Sequence, residues 1–189
     1  MIVNIPTHAE FQEQGMTLLN LAWDMIMELQ LDLQYAEEFQ NEEDIDDDSH
    51  RQAEKYRAAS QKPLAVTTAL PQQGTEFLVK AAIAEVSPFL LVSGSVQSWP
   101  KGCDSNDTSF SEFRTVDAGD LVRMHDADTR VRISDEFKEQ FSKMRQVRNT
   151  VFHSVDPGLR FNEREMILAI LTGELCSAKA PDSPRLNRI

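Results

Sequence analysis

Cysteine is nearly missing from the chain: two residues, Cys103 and Cys176, stand among 189. That is too few for a disulfide framework or for a zinc site built on thiolates. No apolar run approaches the ~18 residues that a membrane span needs. Met1–Glu10 lacks the basic and then apolar layout of a secretory leader. Basic side chains are also short, at 19 Lys+Arg against 31 Asp+Glu, for a net charge of −12. Such a balance argues against a broad, non-specific coat on nucleic acid. These shortages lead us to expect a cytoplasmic protein in reducing surroundings, with no membrane partner. What is present suffices for a core, since 41% of residues are apolar and 26% charged. The length suits one domain over residues 1–178, followed by a flexible tail at 179–189.

The acidic excess is unevenly spread. Residues 1–60 hold 3 basic and 14 acidic side chains, whereas residues 134–189 hold 9 and 8. Much of the excess lies in Glu37–Asp48, with eight acids in twelve residues. Charge blocks of this kind repel themselves and stay solvated, so the segment reads as an acidic linker. The alternative, a divalent-cation site, is weakened because the EF-hand spacing with its glycine at loop position six is missing. We expect neither a metal nor a cofactor.

Hydrophobic periodicity gives four principal helices. Thr7 and Glu10 form a capping box, and Phe11, Leu18, Leu19, Ala22, Trp23, Ile26, Leu29 and Leu33 follow at steps that place one stripe along about eight turns, ending near Phe39. Ser49 and Gln52 suggest a weaker cap for a helix over residues 50–60. Pro63, Pro71 and Gln72-Gln73-Gly74 read as interruptions, after which Thr75 opens a helix rich in small residues that Pro88 kinks or ends. From Ser93 to Arg132 the pattern dissolves into a long loop insertion with one short helix near Ala118–Met124. Ser134 caps a helix carrying Phe137, Phe141, Met144, Val147 and Val151, which Asp156-Pro157-Gly158 should stop by Ser154. Asn162 caps the last, Glu163–Cys176, with Met166, Ile167, Ile170 and Leu171 on its apolar face. No convincing strand is read. The expected class is all-α, a four-helix up-down bundle with the insertion before the third main helix.

The segment Met144–Ser154 carries the chemistry: Arg148 is followed by Asn149 and, after three residues, by His153. An arginine, a polar residue and a histidine at this spacing near the end of the third main helix resemble the signature of the HEPN superfamily. The likeness covers residues 7–39, 50–92 and 134–176. It implies a HEPN-like bundle, a homodimer and a metal-independent endoribonuclease. It further implies a setting among toxins or antiviral effectors, with a cognate inhibitor or sensor protein. One branch of the superfamily has a tyrosine two residues after the histidine; Val155 stands there, so that branch's mode of regulation is not expected.

Physical chemistry gives these residues matching roles. Arg148 is a permanent cation with a planar fork suited to phosphate. His153 can take or give a proton near neutral pH, and Asn149 can orient the imidazole or donate to a phosphate oxygen. On an unbroken helix, five steps turn His153 about 140° from Arg148. A shared site within one chain therefore requires the helix to widen, bend or end between them. One Arg–His set supplies one proton carrier, and a two-fold dimer would supply two. Arg145 is either a second, substrate-binding phosphate contact or a surface residue paired with Glu139 or solvent.

The bland alternative is that Arg148 and His153 merely suit the negative end of a helix dipole. The chain would then be a non-catalytic helical module binding RNA, a nucleotide or a protein partner, or a structural dimerisation bundle. His8, His50 and His125 lack ligand spacing and read as surface residues. Glu76 and Lys80 have the spacing of a helical ion pair, or alternatively of polar support beside the motif. Neither cysteine has an adjacent base to activate it.

Overall fold

A computed structural model describes residues 1–38, 55, 58–61, 63–65, 67–129, 131–153 and 163–177. Helix accounts for 75% of the interpretable residues, so the chain is mostly helical. Five helices are described: α1 His8–Glu38, α2 Ala69–Val86, α3 Ala118–Asp128, α4 Asp135–His153 and α5 Glu163–Ser177. The acidic run beyond Glu38, the Ser49–Gln52 cap, the Asp156-Pro157-Gly158 stop, Val155, the Asn162 cap and the tail all lie outside the described residues. None of the described helices is long and apolar enough to cross a membrane.

The start of α1 is fixed by the capping box. Thr7 donates from its backbone N–H (2.7 Å) and its hydroxyl (2.8 Å) to Glu10 Oε2, and the Glu10 N–H donates back to Thr7 Oγ1 (3.2 Å). These bonds favour the ionised carboxylate: first the Thr7 backbone donor, then its hydroxyl, hold Glu10 below its ordinary pKa. The apolar stripe then buries Met16, Leu19, Ala22 and Ile26 against Leu64, Leu78 of α2, and Met166 and Ile170 of α5. Trp23 packs at the edge of this cluster, as a core residue should.

Where α2 begins is a correction. The helix starts at Ala69, six residues before Thr75, and runs through the expected interruption. Pro71 is tolerated because it sits in the first turn, where no N–H is owed to the helix. Gly74 is there for contact: a Cβ on it would come within 2.9 Å of the Gly15 carbonyl oxygen, and one on Gly15 would come equally close to that of Gly74. The two glycines let α1 and α2 cross almost backbone to backbone. Ser87 is extended, as the residue before proline prefers, and Pro88 opens a short 3₁₀ turn, Pro88–Leu91.

The span 93–132 is the second correction, because it is built into the core. Thr108–Ser109 (β2) pairs in parallel with Ile2–Val3 (β1), a two-stranded sheet where none was expected. Val92 bridges Thr115, and the Met1 ammonium meets Asp107 at 3.0 Å. Phe110, Phe113, Val116, Ala118 and Leu121 are buried; all but Phe113 belong to one cluster with Val79 and Ile83 of α2 and Phe137, Phe141 and Met144 of α4. Trp99 meets Phe113 edge-on at 5.4 Å between centroids. The short helix of the span extends to Asp128 and encloses His125, which is buried and not the surface residue its surroundings in sequence suggested. Its Nδ1 lies 3.2 Å from Thr129 Oγ1 and 3.4 Å from Asp126 Oδ1. α2 thus lies between two apolar clusters, with α1 and α5 on one and the 110–121 segment and α4 on the other.

Candidate functional site

The motif residues all stand on α4, which runs unbroken to His153. The widening or break expected between Arg148 and His153 is not there, so the two leave the helix in different directions. Phe137, Phe141 and Met144 mark the buried side of α4. Arg148 is one turn beyond Met144 and follows that line inward, half-buried. His153 and Asn149, about 40° apart around the axis, are exposed on the outer side.

Arg148 reaches across to α2. Its Nε donates to Gln72 Oε1 at 3.2 Å. Gln72 is fully buried, and its own Nε2 donates to Glu76 Oε2 at 3.2 Å. Glu76 Oε1 in turn accepts from Lys80 Nζ at 2.8 Å, with the two side chains only 10% and 9% exposed. Residues 72, 76 and 80 recur every four and so form one stripe along α2. The Glu76–Lys80 pair expected from spacing is therefore present, but buried and continuous with the motif. Lys80 Nζ also lies 5.5 Å from the Phe77 ring centroid, within cation–π range. The terminal nitrogens of Arg148 have no partner among the described residues.

Arg145 takes a third direction. It lies over Gly119 of α3, where any side chain would collide with its guanidinium. The expected alternative partner, Glu139, is occupied by Lys143 at 2.7 Å, and Arg145 makes no ion pair among the described residues. With Ser142, Gln146, Asn149 and Thr150 it lines an open depression on the outer side of α4. His153 lies about 80° around the helix from Arg145, closer than from Arg148.

Gln72 is the residue that sequence reasoning missed, because it was read as part of a turn. The signal was a polar side chain at every fourth residue, 72, 76 and 80, along one stripe of the helix. Among the described residues no group of three His, Cys, Asp or Glu side chains is placed to hold a metal ion. Cys103 is a free thiol, partly buried. Comparison with protein-family models, with curated proteins and with solved structures finds no match to this chain.

Proposed function

We propose that the chain is a HEPN-like, metal-independent endoribonuclease that acts as a homodimer, with Arg148 holding the scissile phosphate and His153 moving the proton. The observation that carries this reading is the mooring of Arg148. Its Nε is committed to buried Gln72 while its terminal nitrogens have no partner among the described residues, so a cation is held in place with its phosphate-binding fork unspent among them. His153 is exposed at the end of the same helix, and Asn149 stands one turn before it to orient the ring. Arg145, in its open depression, assists as a contact to a neighbouring phosphate.

The divergence of Arg148 and His153 within one chain gives the dimer its role. Two copies of the motif face each other across one groove, so that a phosphate held there lies between an Arg148 and a His153 from each protomer. One His153 takes the proton of the ribose 2′-hydroxyl, whose oxygen attacks phosphorus. The bond from phosphorus to the 5′-oxygen breaks, and the second protomer's imidazolium protonates that oxygen. The products are a 2′,3′-cyclic phosphate and a free 5′-hydroxyl. Such an activity fits a toxin or antiviral effector held by a cognate inhibitor or sensor.

The test is RNA cleavage in EDTA. We expect cyclic-phosphate ends from the unmodified protein, and a loss in His153→Ala of about 10²–10⁴-fold, the range of general acid–base catalysis. Equal cutting by the variant eliminates the mechanism. The unbroken α4 favours a second reading, a non-catalytic HEPN-like module that binds RNA, a nucleotide or a protein partner through the outer face of α4. That reading predicts binding without cleavage, weakened by Arg145→Ala and unmoved by Gln72→Leu.

A further inference from the structure

The polar line on α2 is expensive to bury. As whole residues, Gln72, Glu76 and Lys80 are 0%, 8% and 7% exposed, and a buried ion pair seldom stabilises a fold as well as apolar side chains of the same size. Its position suggests what it does. A glutamine amide has an accepting end and a donating end, and rotation by half a turn exchanges them. If Gln72 faced the other way, its NH₂ would point at the Arg148 guanidinium, donor against donor. Its oxygen would point at the Glu76 carboxylate, acceptor against acceptor. Glu76 therefore selects the orientation in which Oε1 faces Arg148. Lys80, at 2.8 Å from the other carboxylate oxygen, holds Glu76 in place.

We infer that Lys80, Glu76 and Gln72 are positioning residues that lock the Arg148 guanidinium in one orientation, with Nε turned into the protein and the terminal nitrogens turned out. None of the three touches substrate. Their effect runs along a single series of hydrogen bonds from one helix to the next. The catalytic consequence rests on the ribonuclease reading; the locking of the side chain does not.

The proposal is tested by the exchange of the arginine Hε proton with water, followed by NMR on the side-chain nitrogens. In the unmodified protein, Arg148 Hε should exchange several-fold to roughly tenfold more slowly than Arg145 Hε, the factor that one hydrogen bond of ordinary net strength confers. Gln72→Leu, which keeps the volume and removes the acceptor, should erase that difference. Glu76→Gln should reduce it, because Gln72 is then free to turn over. Should Gln72→Leu fail to fold, the comparison within the unmodified protein decides. Equal exchange at Arg148 and Arg145 there, or slow exchange that survives Gln72→Leu, overturns the proposal. On RNA, Gln72→Leu should lower kcat in the unmodified protein and cause no further loss in a chain that already carries Arg148→Ala. If the unmodified protein cuts no RNA, the ribonuclease reading falls, while the exchange comparison still decides whether the line holds Arg148.

Discussion

The two halves of α4 are held to the molecule by opposite means. The first half is anchored by apolar packing: Phe137 and Phe141 stack at 5.9 Å between centroids, and both are buried with Met144 against the 110–121 segment and α2. The second half has one hydrogen bond to α2, from Arg148 to Gln72 at 3.2 Å, and leaves Phe152 54% exposed. Burial of large side chains stabilises in proportion to area and needs no particular orientation. A buried polar contact contributes little net stability but fixes direction. The first half of the helix thus supplies the fold, and the second half spends some of it on aiming a cation.

The sharpest way to break this contrast is to remove an anchor. Phe141 is 3% exposed, and Phe141→Ala should cost about 3–5 kcal/mol, the usual loss for a deleted core aromatic. Urea unfolding reads this directly. A loss below about 1 kcal/mol would mean that the first half of α4 is not the structural half.

Much of the helical layout was legible in the sequence, and the missing part has a physical cause. α1 and α4 follow from their apolar periods and caps, and α5 from its apolar period, because each buries one continuous stripe. The start of α2 did not, since Pro71 and Gly74 are local breakers overruled by first-turn placement and by the contact with Gly15. The 93–132 span hid its core because Phe110, Phe113, Val116 and Leu121 sit in short turns and a short helix, with too few repeats to declare a period. The motif Arg148-Asn149 with His153 was visible as residues, but its geometry was not. Gln72 is 76 positions away from Arg148, and nothing local marks that contact.

The polar line gives the next largest effect and sharpens the comparison. Lys80→Met leaves the Glu76 carboxylate buried without its partner, at a cost of about 3–5 kcal/mol. Replacing both, Glu76→Leu with Lys80→Met, removes the unpaired charge and should recover most of that loss. Thermal unfolding of the two variants side by side checks the difference. Recovery of stability would show that the pair contributes little to the fold beyond cancelling its own burial. A double variant no more stable than Lys80→Met would make the line an ordinary structural element.

A smaller effect separates the junction of α3 and α4 from the rest. Burial opposes ionisation of Asp126, but hydrogen bonds from Lys138 Nζ, the Ile133 N–H and His125 outweigh it and hold its carboxyl below the ordinary value. The same partner, with burial opposing, holds Lys138 above its own. A carboxyl lowered on folding contributes stability that is present above its unfolded pKa of about 4 and is lost as pH falls through the folded value. A raised lysine contributes below its unfolded pKa of about 10.4 and loses that contribution as pH rises through the folded one. Asp126→Asn should therefore lower Tm at neutral pH and flatten the fall in stability below pH ~4. An unchanged acid limb would remove Asp126 from the account of how α4 is seated.

The smallest expected effect is on the outer side of α4, and its sign matters more than its size. Asn149 is exposed in a helix interior and has no hydrogen-bond partner among the described residues. Alanine is the better helix former there by roughly half a kcal/mol, so Asn149→Ala should leave the stability of the isolated chain unchanged or slightly raised. An exposed Asn149 that adds nothing to the helix sets this face apart from the anchored one opposite. The measurement is a pair of melts at low and high protein concentration. A variant that melts lower only at high concentration would show that Asn149 is covered by a second copy of the chain, as the composite site requires. A variant that melts lower at both would place Asn149 in the fold and leave the outer side of α4 with less claim to function.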